Sequence, residues 1–522
     1  MSQTPLSTDI LLCTLNSTYQ HSSFGLRYLY ANLGELQSRS QIIEGTIKVS
    51  PRNFVEKIMS HNPRIIGFSV YIWNTLETLE CIRLIKKISP STILVLGGPE
   101  ISYETETQEH VKWADYIIKG EADFAFRELC LDILVRQQTP SAQIIQATLP
   151  DIQQIRLPYA FYSDEDIKNR VIYVEASRGC PYKCEYCLSS LDKSVRSFDL
   201  DLFLADMKVL LNRGVRTFKF VDRTFNLSVA VSTKILKFFL EHIELGLFLH
   251  FELVPDRLPI EIRDLIKLFP AGSLQFEVGI QTLNPIVAKN ISRNNNLIKV
   301  EENFKYITEH THVHTHADLI VGLPGETLES FAAGFDQLAR YGPDEIQVGI
   351  LKRLKGTPIA RHEAGFKMLY SEAPPYQIIS TSTMDYVSLQ KMNRFAKFWD
   401  LYANSGEFKN FIMWLKESSE ASPRASYFYQ FFEFSEYLSS NFSDTHSLSL
   451  ISLAKEAWSF MILCGLTESE SNEIILKDYC FGNKRRDVPV FIKNQTGSKL
   501  SSEPVLDKSL NSFNVRQLKH LN

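Results

Sequence analysis

Residues 175–187 read EASRGCPYKCEYC and place three cysteines, Cys180, Cys184 and Cys187, within one loop. A structural zinc site closes its shell with four protein ligands, whereas three thiolates leave one metal position open for a substrate or cofactor. The apolar run at residues 171–174 predicts a buried strand just before the loop. The triad therefore lies past the carboxyl end of a strand, where α/β barrels place their reactive groups.

The spacing of the triad, with aromatic Tyr186 before the last cysteine, resembles the signature of radical S-adenosylmethionine (SAM) enzymes. The resemblance implies that the cysteines hold three irons of a [4Fe-4S] cluster, whose fourth iron is chelated by the amino and carboxylate groups of SAM. It also implies that one electron from the cluster cleaves SAM to methionine and a 5′-deoxyadenosyl radical. The alternative is a zinc site completed by a distant cysteine, Cys464 or Cys480.

The composition is that of an ordinary globular protein of several domains, with 44% hydrophobic and 22% charged residues among 522. A net charge of −4 gives no overall attraction to nucleic acid or membranes, and the basic cluster at residues 484–486 is too short to change this. Neither a secretory signal nor an apolar run long enough to span a bilayer is evident. We expect a cytoplasmic protein whose eight cysteines are reduced or metal-bound.

Residues 1–140 alternate short β-branched runs with helical patterns, which predicts a doubly wound, Rossmann-like parallel sheet covered by helices. The predicted strands cover residues 10–15, 65–70, 92–96 and 116–119, and a helix is predicted over residues 75–89. In such sheets ligands bind beyond the carboxyl ends of the strands. The residues at these ends are Ser69, Gly97, Gly98, Gly120 and Glu121.

This set, ahead of a radical SAM signature, resembles the cobalamin-binding domain of the cobalamin-dependent radical SAM subfamily. The paired glycines have a physical role, because residues without a Cβ let the backbone approach a bulky nucleotide tail. Many such domains ligate cobalt through the histidine of an Asp-x-His-x-x-Gly loop. Here Tyr19 stands in the place of the aspartate before His21, and Gly25 comes one residue late. A metal-bound histidine needs an orienting partner, so we expect cobalamin to bind without ligation by His21.

Residues 141–168 contain three prolines and no clear period, so we interpret them as a linker. Residues 169–365 resume the alternation, and their six predicted strands match the partial (β/α)6 barrel of radical SAM enzymes. These strands cover residues 171–175, 217–221, 247–252, 274–279, 314–321 and 345–351.

The strand ends of this block carry polar residues that a buried core would avoid. By resemblance, Asp222 and Arg223 follow the second strand where the family binds the SAM amino group. Glu277 and Gln281 lie at the fourth strand, where the family contacts ribose and adenine. Glu252 ends the third strand and Lys352 the sixth, and with Asp222 they are our candidate catalytic residues. The alternative for each charged residue is an ion pair with a neighbour.

His312, His314 and His316 alternate along one predicted strand. Residues two apart on a strand are separated by about 7 Å, too far to share one ion on a straight strand. We therefore interpret them as part of a solvated or helix-covered strand face.

Residues 366–522 are predicted to be mainly helical, with Met392, Phe395, Ala396, Trp399 and Tyr402 on one stripe of a helix over residues 383–403. The stripe is interpreted as core. The block resembles the C-terminal extension of one branch of cobalamin-dependent radical SAM proteins.

The resemblance implies a cobalamin-dependent radical SAM enzyme that uses a [4Fe-4S] cluster, SAM and cobalamin, with methylation of an unactivated carbon as the reaction. An electron donor such as flavodoxin or ferredoxin would supply electrons to the cluster. No nucleic acid partner is expected. Radical rearrangement or cyclisation on the same scaffold stays open, as does a non-enzymatic cobalamin sensor. A further alternative is a tRNA methylthiotransferase, in which Cys13, Cys81 and Cys130 would hold a second cluster.

Overall fold

The computed structural model describes residues 8–420, 424–442, 448–482 and 488–492. This part of the chain divides into two compact units. The first contains the described residues up to Arg223 with Lys352–Ala360 and Ser371–Gln377, and the second contains the remainder. The basic cluster at residues 484–486 lies outside the described residues.

The first unit begins with an α/β layer. Its strands are β1 (Ile10–Asn16), β2 (Ser40–Thr46), β3 (Ile65–Ser69), β4 (Ile93–Gly97), β5 (Tyr116–Lys119) and β6 (Ile144–Gln146). Its helices are α1 (Phe24–Ala31), α2 (Pro51–Met59), α3 (Thr75–Ile88) and α4 (Ala125–Leu134). Within the described residues the strands form one parallel sheet in the order β2-β1-β3-β4-β5-β6. The strand order reverses between β1 and β3, which is where open α/β sheets bind ligands.

Strand β1 is buried along its whole length and serves both faces of the sheet. Leu11, Cys13 and Leu15 join an apolar cluster with residues of α2 and α3, whereas Ile10 and Leu12 join a second cluster with residues of α1 and α4. Alternating side chains on opposite faces, each covered by helices, are what a doubly wound sheet requires. The predicted fold class of this region is confirmed.

Strands β2 and β6 were not predicted from the sequence. The segment at residues 141–168, interpreted as a linker, contains β6, which pairs with β5, and the short helix α5 (Asp164–Asn169), whose N-terminus is capped by Ser163. The segment therefore completes the edge of the first sheet before the chain continues. The exact domain boundaries stay a prediction.

The rest of the first unit carries the cysteine loop. It includes β7 (Ile172–Val174), β8 (Ser177–Arg178), β9 (Arg196–Ser197), α6 (Leu200–Asn212) and β10 (Thr217–Phe220). Strands β7 and β10 pair in parallel, and β8 and β9 form a small antiparallel hairpin around the cysteines.

The second unit contains α7 (Val229–Leu240), β11 (Phe248–Leu253), α8 (Ile260–Ile266), β12 (Leu274–Gln281), α9 (Pro285–Asn290), α10 (Leu297–His310), β13 (His314–Val321), α11 (Leu328–Tyr341) and β14 (Glu345–Ile350). Its four strands pair in parallel in chain order. Together with β7 and β10, all six strands predicted for residues 169–365 are observed. A two-stranded antiparallel pair, β15 (Leu369–Tyr370) and β16 (Ile378–Ser380), follows.

The C-terminal helices are α12 (Tyr386–Trp399), α13 (Lys409–Glu420), α14 (Tyr427–Asn441), α15 (Leu450–Leu463) and α16 (Glu468–Leu476). The predicted aromatic stripe on α12 is core, because the Phe395 and Phe428 rings lie 4.8 Å apart and those of Trp399 and Phe431 4.9 Å apart. The indole nitrogen of Trp399 donates to the carbonyl of Ile346 at 2.8 Å. This contact fixes the helical block to strand β14 within the second unit.

Candidate active site

A cavity of about 160 Å³ lies at the carboxyl ends of β3, β4 and β5 in the first unit. Its walls include Ser69, Gly97 and Gly98, and the remaining wall is mostly aliphatic and aromatic. Apolar cavities of roughly 150 Å³ accept an aromatic ring the size of benzene. The cavity is therefore suited to a planar aromatic group inserted at the strand ends.

The backbone conformation at position 98 requires a glycine, and the same residue lines the cavity. Its φ is +106°, and a Cβ would lie 2.6 Å from the carbonyl oxygen of Val70. The end of β3 is held in place because the carbonyl of Ser69 accepts hydrogen bonds from Thr14 and Asn74, each at 3.2 Å. These contacts shape a rigid pocket floor from main-chain atoms.

Gly120 and Glu121 do not line the cavity. Glu121 instead accepts a hydrogen bond from Arg178 at 2.8 Å and a second from Arg196. The next residues of the same loop do reach the cavity, since Asp123 is part of its wall. The roles assigned to Gly120 and Glu121 stay predictions.

His21 lies against the β7 strand rather than in the cavity wall. Its Nδ1 is 2.5 Å from the hydroxyl of Tyr173, and its backbone forms a bridge with Val171. Burial, together with the charge of Lys219, lowers the pKa of His21. The imidazole thus has a partner on Nδ1 of the kind that can orient a ligating histidine, and the absence of cobalt ligation by His21 stays a prediction.

The cysteine loop folds tightly behind β8. Cys180 and Cys184 are buried and Cys187 is half-buried, as is Tyr186. The amide of Cys180 donates to the carbonyl of Asp192 at 3.1 Å, and that of Cys187 to the carbonyl of Cys184 at 3.2 Å. Burial, the largest cause, raises the pKa of Cys180, as do the charges of Cys187 and Cys184, whereas a backbone hydrogen bond with Tyr182 and the charge of Arg223 lower it. The loop thus presents three cysteines, which bind a metal cluster as thiolates.

Asp222 fastens the segment that leads into this loop. It is 4% exposed, and its carboxylate accepts hydrogen bonds from the amide of Ala176 at 3.0 Å and the hydroxyl of Ser177 at 2.6 Å. Burial raises the pKa of Asp222 to about 7. Both oxygens have partners within the chain, and the predicted contact of Asp222 with SAM stays a prediction.

The remaining candidate residues are divided between the units. Glu252 and Glu277 are register partners on β11 and β12, and Glu277 lies 2.8 Å from Nε2 of His250. Gln281 ends β12 with a left-handed φ of 72°. Lys352 belongs to the first unit, where it is exposed and its backbone bridges to Gln377.

The histidines of β13 face carboxylates of their own sheet. His314 lies 3.1 Å from Glu345, and His316 lies 4.0 Å from Asp318.

Across the described ranges, no three Cys, His, Asp or Glu side chains converge so as to hold a metal ion. In a four-iron cluster each thiolate binds a different iron, so the sulfur atoms of a triad need not converge on one point.

The cysteines of the methylthiotransferase alternative lie on opposite faces of the first sheet. Cys13 and Cys81 belong to the apolar cluster on one face, and Cys130 belongs to the cluster on the other. Burial raises the pKa of Cys81 to about 12. These thiols are core residues that cannot share one cluster, and this alternative is not favoured.

Glu326 is a buried acid in the turn after β13. It is 1% exposed, and its Oε1 accepts hydrogen bonds from the hydroxyls of Thr282 and Ser330, each at 3.1 Å. Its Oε2 is buried and has no hydrogen-bond partner among the described residues. Burial raises the pKa of Glu326 to about 7. The fold therefore favours the protonated acid.

We predict that deprotonation of buried Glu326 lowers the free energy of unfolding as the pH rises. Because its folded-state pKa is raised from 4.5 to about 7, its stabilising contribution is complete below pH 4.5 and is lost as the pH rises through about 7. A shift of this size corresponds to on the order of 3 kcal/mol. Urea unfolding at about pH 5.5 and about pH 8 should show that Glu326→Gln loses much of the pH dependence seen in the parent protein. Exposed Glu329→Gln is the matched control and should retain it.

Three family models match successive parts of the chain. The B12 binding domain matches residues 10–130, the Radical SAM superfamily matches residues 174–350, and the model described as "Protein of unknown function (DUF4080)" matches residues 364–518. The first covers β1 to β5 and most of the cavity wall, and the second begins at the end of β7 and includes the cysteine triad. This chain belongs to the cobalamin-binding radical SAM family.

Two curated relatives of this radical SAM protein are methyltransferases. The 2-(S-pantetheinyl)-carbapenam-3-carboxylate methyltransferase of Streptantibioticus cattleyicolor is 25% identical over 370 residues, 62% of this chain and 53% of that protein. The cobalamin-dependent radical SAM methyltransferase TokK of Streptomyces tokunonensis is 24% identical over 363 residues, 60% of this chain and 51% of that protein. The chain thus spans about half the length of these relatives.

A solved structure supports the fold of the radical SAM protein. The radical SAM methyltransferase TsrM of Kitasatospora setae, with tryptophan and a SAM analogue bound, has a TM-score of 0.59 at 17% identity. The match covers 71% of this chain and 80% of that one. A second TsrM structure holds cobalamin and a [4Fe-4S] cluster. At this identity the likeness concerns the fold.

Proposed function

We propose that the protein is a cobalamin-dependent radical SAM enzyme that methylates an unactivated carbon. The observation that carries the proposal is the presence, in one compact unit, of a three-cysteine loop and an apolar cavity at the carboxyl ends of β3, β4 and β5. A cluster ligand set alone is found in many radical SAM proteins. The cavity in the same unit is what favours a corrinoid as the second cofactor.

The residues present fit both cofactors. Cys180, Cys184 and Cys187 would each bind one iron and leave the fourth for SAM. Gly97 and Gly98 would let main-chain atoms contact the aromatic base of the cobalamin tail in the cavity. When bound, the cluster supplies the electron that cleaves SAM, and cobalamin supplies the methyl group. The protein's own part is to hold the cofactors, orient the substrate and exclude water.

The further residues of the site are proposed by role. Arg223, whose charge lowers the pKa of Cys180, is proposed with Asp222 to bind SAM beside the cluster. Glu277 and Gln281 would contact the nucleoside, and Tyr186 would pack beside the cluster. Glu252 and Lys352 are the proposed catalytic groups.

Methylation is favoured over rearrangement because the curated relatives reported above are methyltransferases. Flavodoxin or ferredoxin is the proposed electron donor. Among the described residues, no helix combines the length and apolarity that crossing a bilayer requires. A cytoplasmic location is part of the proposal.

The test is mass spectrometry of anaerobically reconstituted protein supplied with SAM and a reductant, with and without hydroxocobalamin. The expected products are 5′-deoxyadenosine and S-adenosylhomocysteine, the latter only when cobalamin is present. Deoxyadenosine without S-adenosylhomocysteine would contradict methyl transfer and favour rearrangement or cyclisation. Neither product, from protein with a full iron complement, would favour a cobalamin sensor.

The cavity can be tested separately through Gly97. Its backbone admits a side chain, because a Cβ would meet its nearest neighbour, the carbonyl oxygen of Ile118, at 3.6 Å. Gly97→Leu should occupy the space needed by the cobalamin base and raise the Kd for hydroxocobalamin by at least about tenfold. Gly97→Ala is the graded control and should bind nearly as the parent protein does. Equal affinity of the leucine variant, with an unchanged melting temperature, would place cobalamin elsewhere.

A further inference from the structure

Arg178 joins the cysteine loop to the loop after β5. It lies two residues before Cys180 and donates to Glu121 at 2.8 Å and to Asp123 at 3.0 Å, while its Nε donates to Glu175 at 2.9 Å. The Arg178 side chain is only 14% exposed. The arginine therefore holds carboxylates of two separate chain segments, which we name the Arg178 network: Arg178, Glu175, Glu121 and Asp123.

The Arg178 network is also part of the cavity wall. Asp123 and Arg178 both line the cavity, as does Tyr28, over whose ring the guanidinium lies at 4.4 Å. A group placed in the cavity would thus contact the same side chains that hold the approach to Cys180. Its binding would favour the arrangement in which Arg178 is fully paired.

The connection from Arg178 to the cysteines is short and stiff. Arg178 is paired with Arg196 in the β8–β9 hairpin, and Arg196 also donates to Glu121. Breaking one partner of a buried ion pair leaves an uncompensated charge, which is costly. A change in the Arg178–Asp123 contact is therefore transmitted to the hairpin that frames the cysteine loop.

We propose that Arg178 is a positioning residue that couples the two cofactor sites, so that cobalamin in the cavity and the cluster on the cysteines raise each other's affinity. The inference rests on the proposed function. Such coupling is reciprocal by thermodynamic necessity, and typical values correspond to roughly 5- to 150-fold. We expect about tenfold here.

The experiment measures the Kd of hydroxocobalamin by quenching of tryptophan fluorescence, in full-length protein with the cluster reconstituted and after its removal by a chelator. The parent protein should bind about tenfold more tightly with the cluster present. Reciprocally, hydroxocobalamin should slow the loss of the cluster to the chelator. A residue with only a structural role would change both Kd values equally and leave their ratio unaltered.

Arg178→Lys keeps the charge but loses the planar fork that pairs with several carboxylates, so the ratio of the two Kd values should fall towards one. Asp123→Asn, which leaves the Glu175 and Glu121 contacts in place, should reduce the ratio independently of any folding defect in the first variant. Arg353→Ala is the matched control and should leave the ratio unchanged, because the Arg353–Glu104 pair is more exposed than Arg178 and lies outside the cavity wall.

A ratio of one in the parent protein would overturn the coupling, and an undiminished ratio in both Arg178→Lys and Asp123→Asn would overturn the role of Arg178. These outcomes differ from failure of the proposed function, in which the parent protein would not bind hydroxocobalamin at all.

Discussion

Replacing Cys184 by alanine is expected to remove the cluster and reduce SAM cleavage to background. Cys184 is the central cysteine of the triad and is 6% exposed, so the change removes one buried thiol while leaving the hairpin contacts around the loop in place. With two thiolates the loop cannot hold three irons. Iron and sulfide content, the visible absorption of the reconstituted protein and the yield of 5′-deoxyadenosine should all fall together.

Cys464→Ala is the control for this change, because Cys464 is an exposed cysteine outside the triad. It should retain the full iron content and product yield of the parent protein. Zinc bound to the parent protein and lost in this variant, or in Cys480→Ala, would instead favour the zinc interpretation with a distant fourth ligand. Hydroxocobalamin binding to Cys184→Ala is expected to persist at the weaker, cluster-free affinity.

The interior strands and the cofactor loop were predictable because their signals are local. Strands such as β3 and β13 are apolar or alternating runs whose pattern is legible in a few residues. The cysteine triad is a spacing pattern that requires no knowledge of the fold. The six strands of residues 169–365 and the aromatic core of α12 follow from the same kind of evidence.

The edge strands β2 and β6 were missed for a physical reason. An edge strand has only one neighbour, so its side chains are partly solvated and its hydrophobic pattern is weak. In β2 only Ile43 is fully buried, and the three residues of β6 lie among prolines. Their place in the sheet is set by pairing with β1 and β5, which a single segment does not reveal.

Arg178 and Asp123 were missed as cavity residues because their contacts are long-range. They are separated by 55 positions and meet only when the loop after β5 and the β8–β9 hairpin are folded. Glu121 lies after β5, as predicted from the sequence. Its carboxylate pairs with Arg178 and does not line the cavity. Sequence reasoning located the loops at the strand ends and could not assign which side chain of each loop lines the cavity.

Replacing Gly179 by alanine is expected to disrupt the cysteine loop more severely than its size suggests. Gly179 has a φ of +94°, and a Cβ there would lie 1.9 Å from the carbonyl oxygen of Ser194 in the opposing segment of the hairpin. The hairpin must open to relieve this clash, which would strain the Cys180–Asp192 hydrogen bond at 3.1 Å. Strained backbone alone costs about 1–3 kcal/mol, so cluster retention should weaken by at least about tenfold.

Gly214→Ala separates the effect of backbone strain from the effect of the steric clash with Ser194. Gly214 has nearly the same φ, +98°, but a Cβ there would meet nothing within 4 Å. The control should therefore lose about 1 kcal/mol of stability from backbone strain, with unchanged iron content and SAM cleavage. If both variants lose the cluster equally, strain and not the clash is responsible. If Gly179→Ala retains its iron and its melting temperature, the hairpin can open without cost, and it cannot be the rigid frame that positions the cysteines.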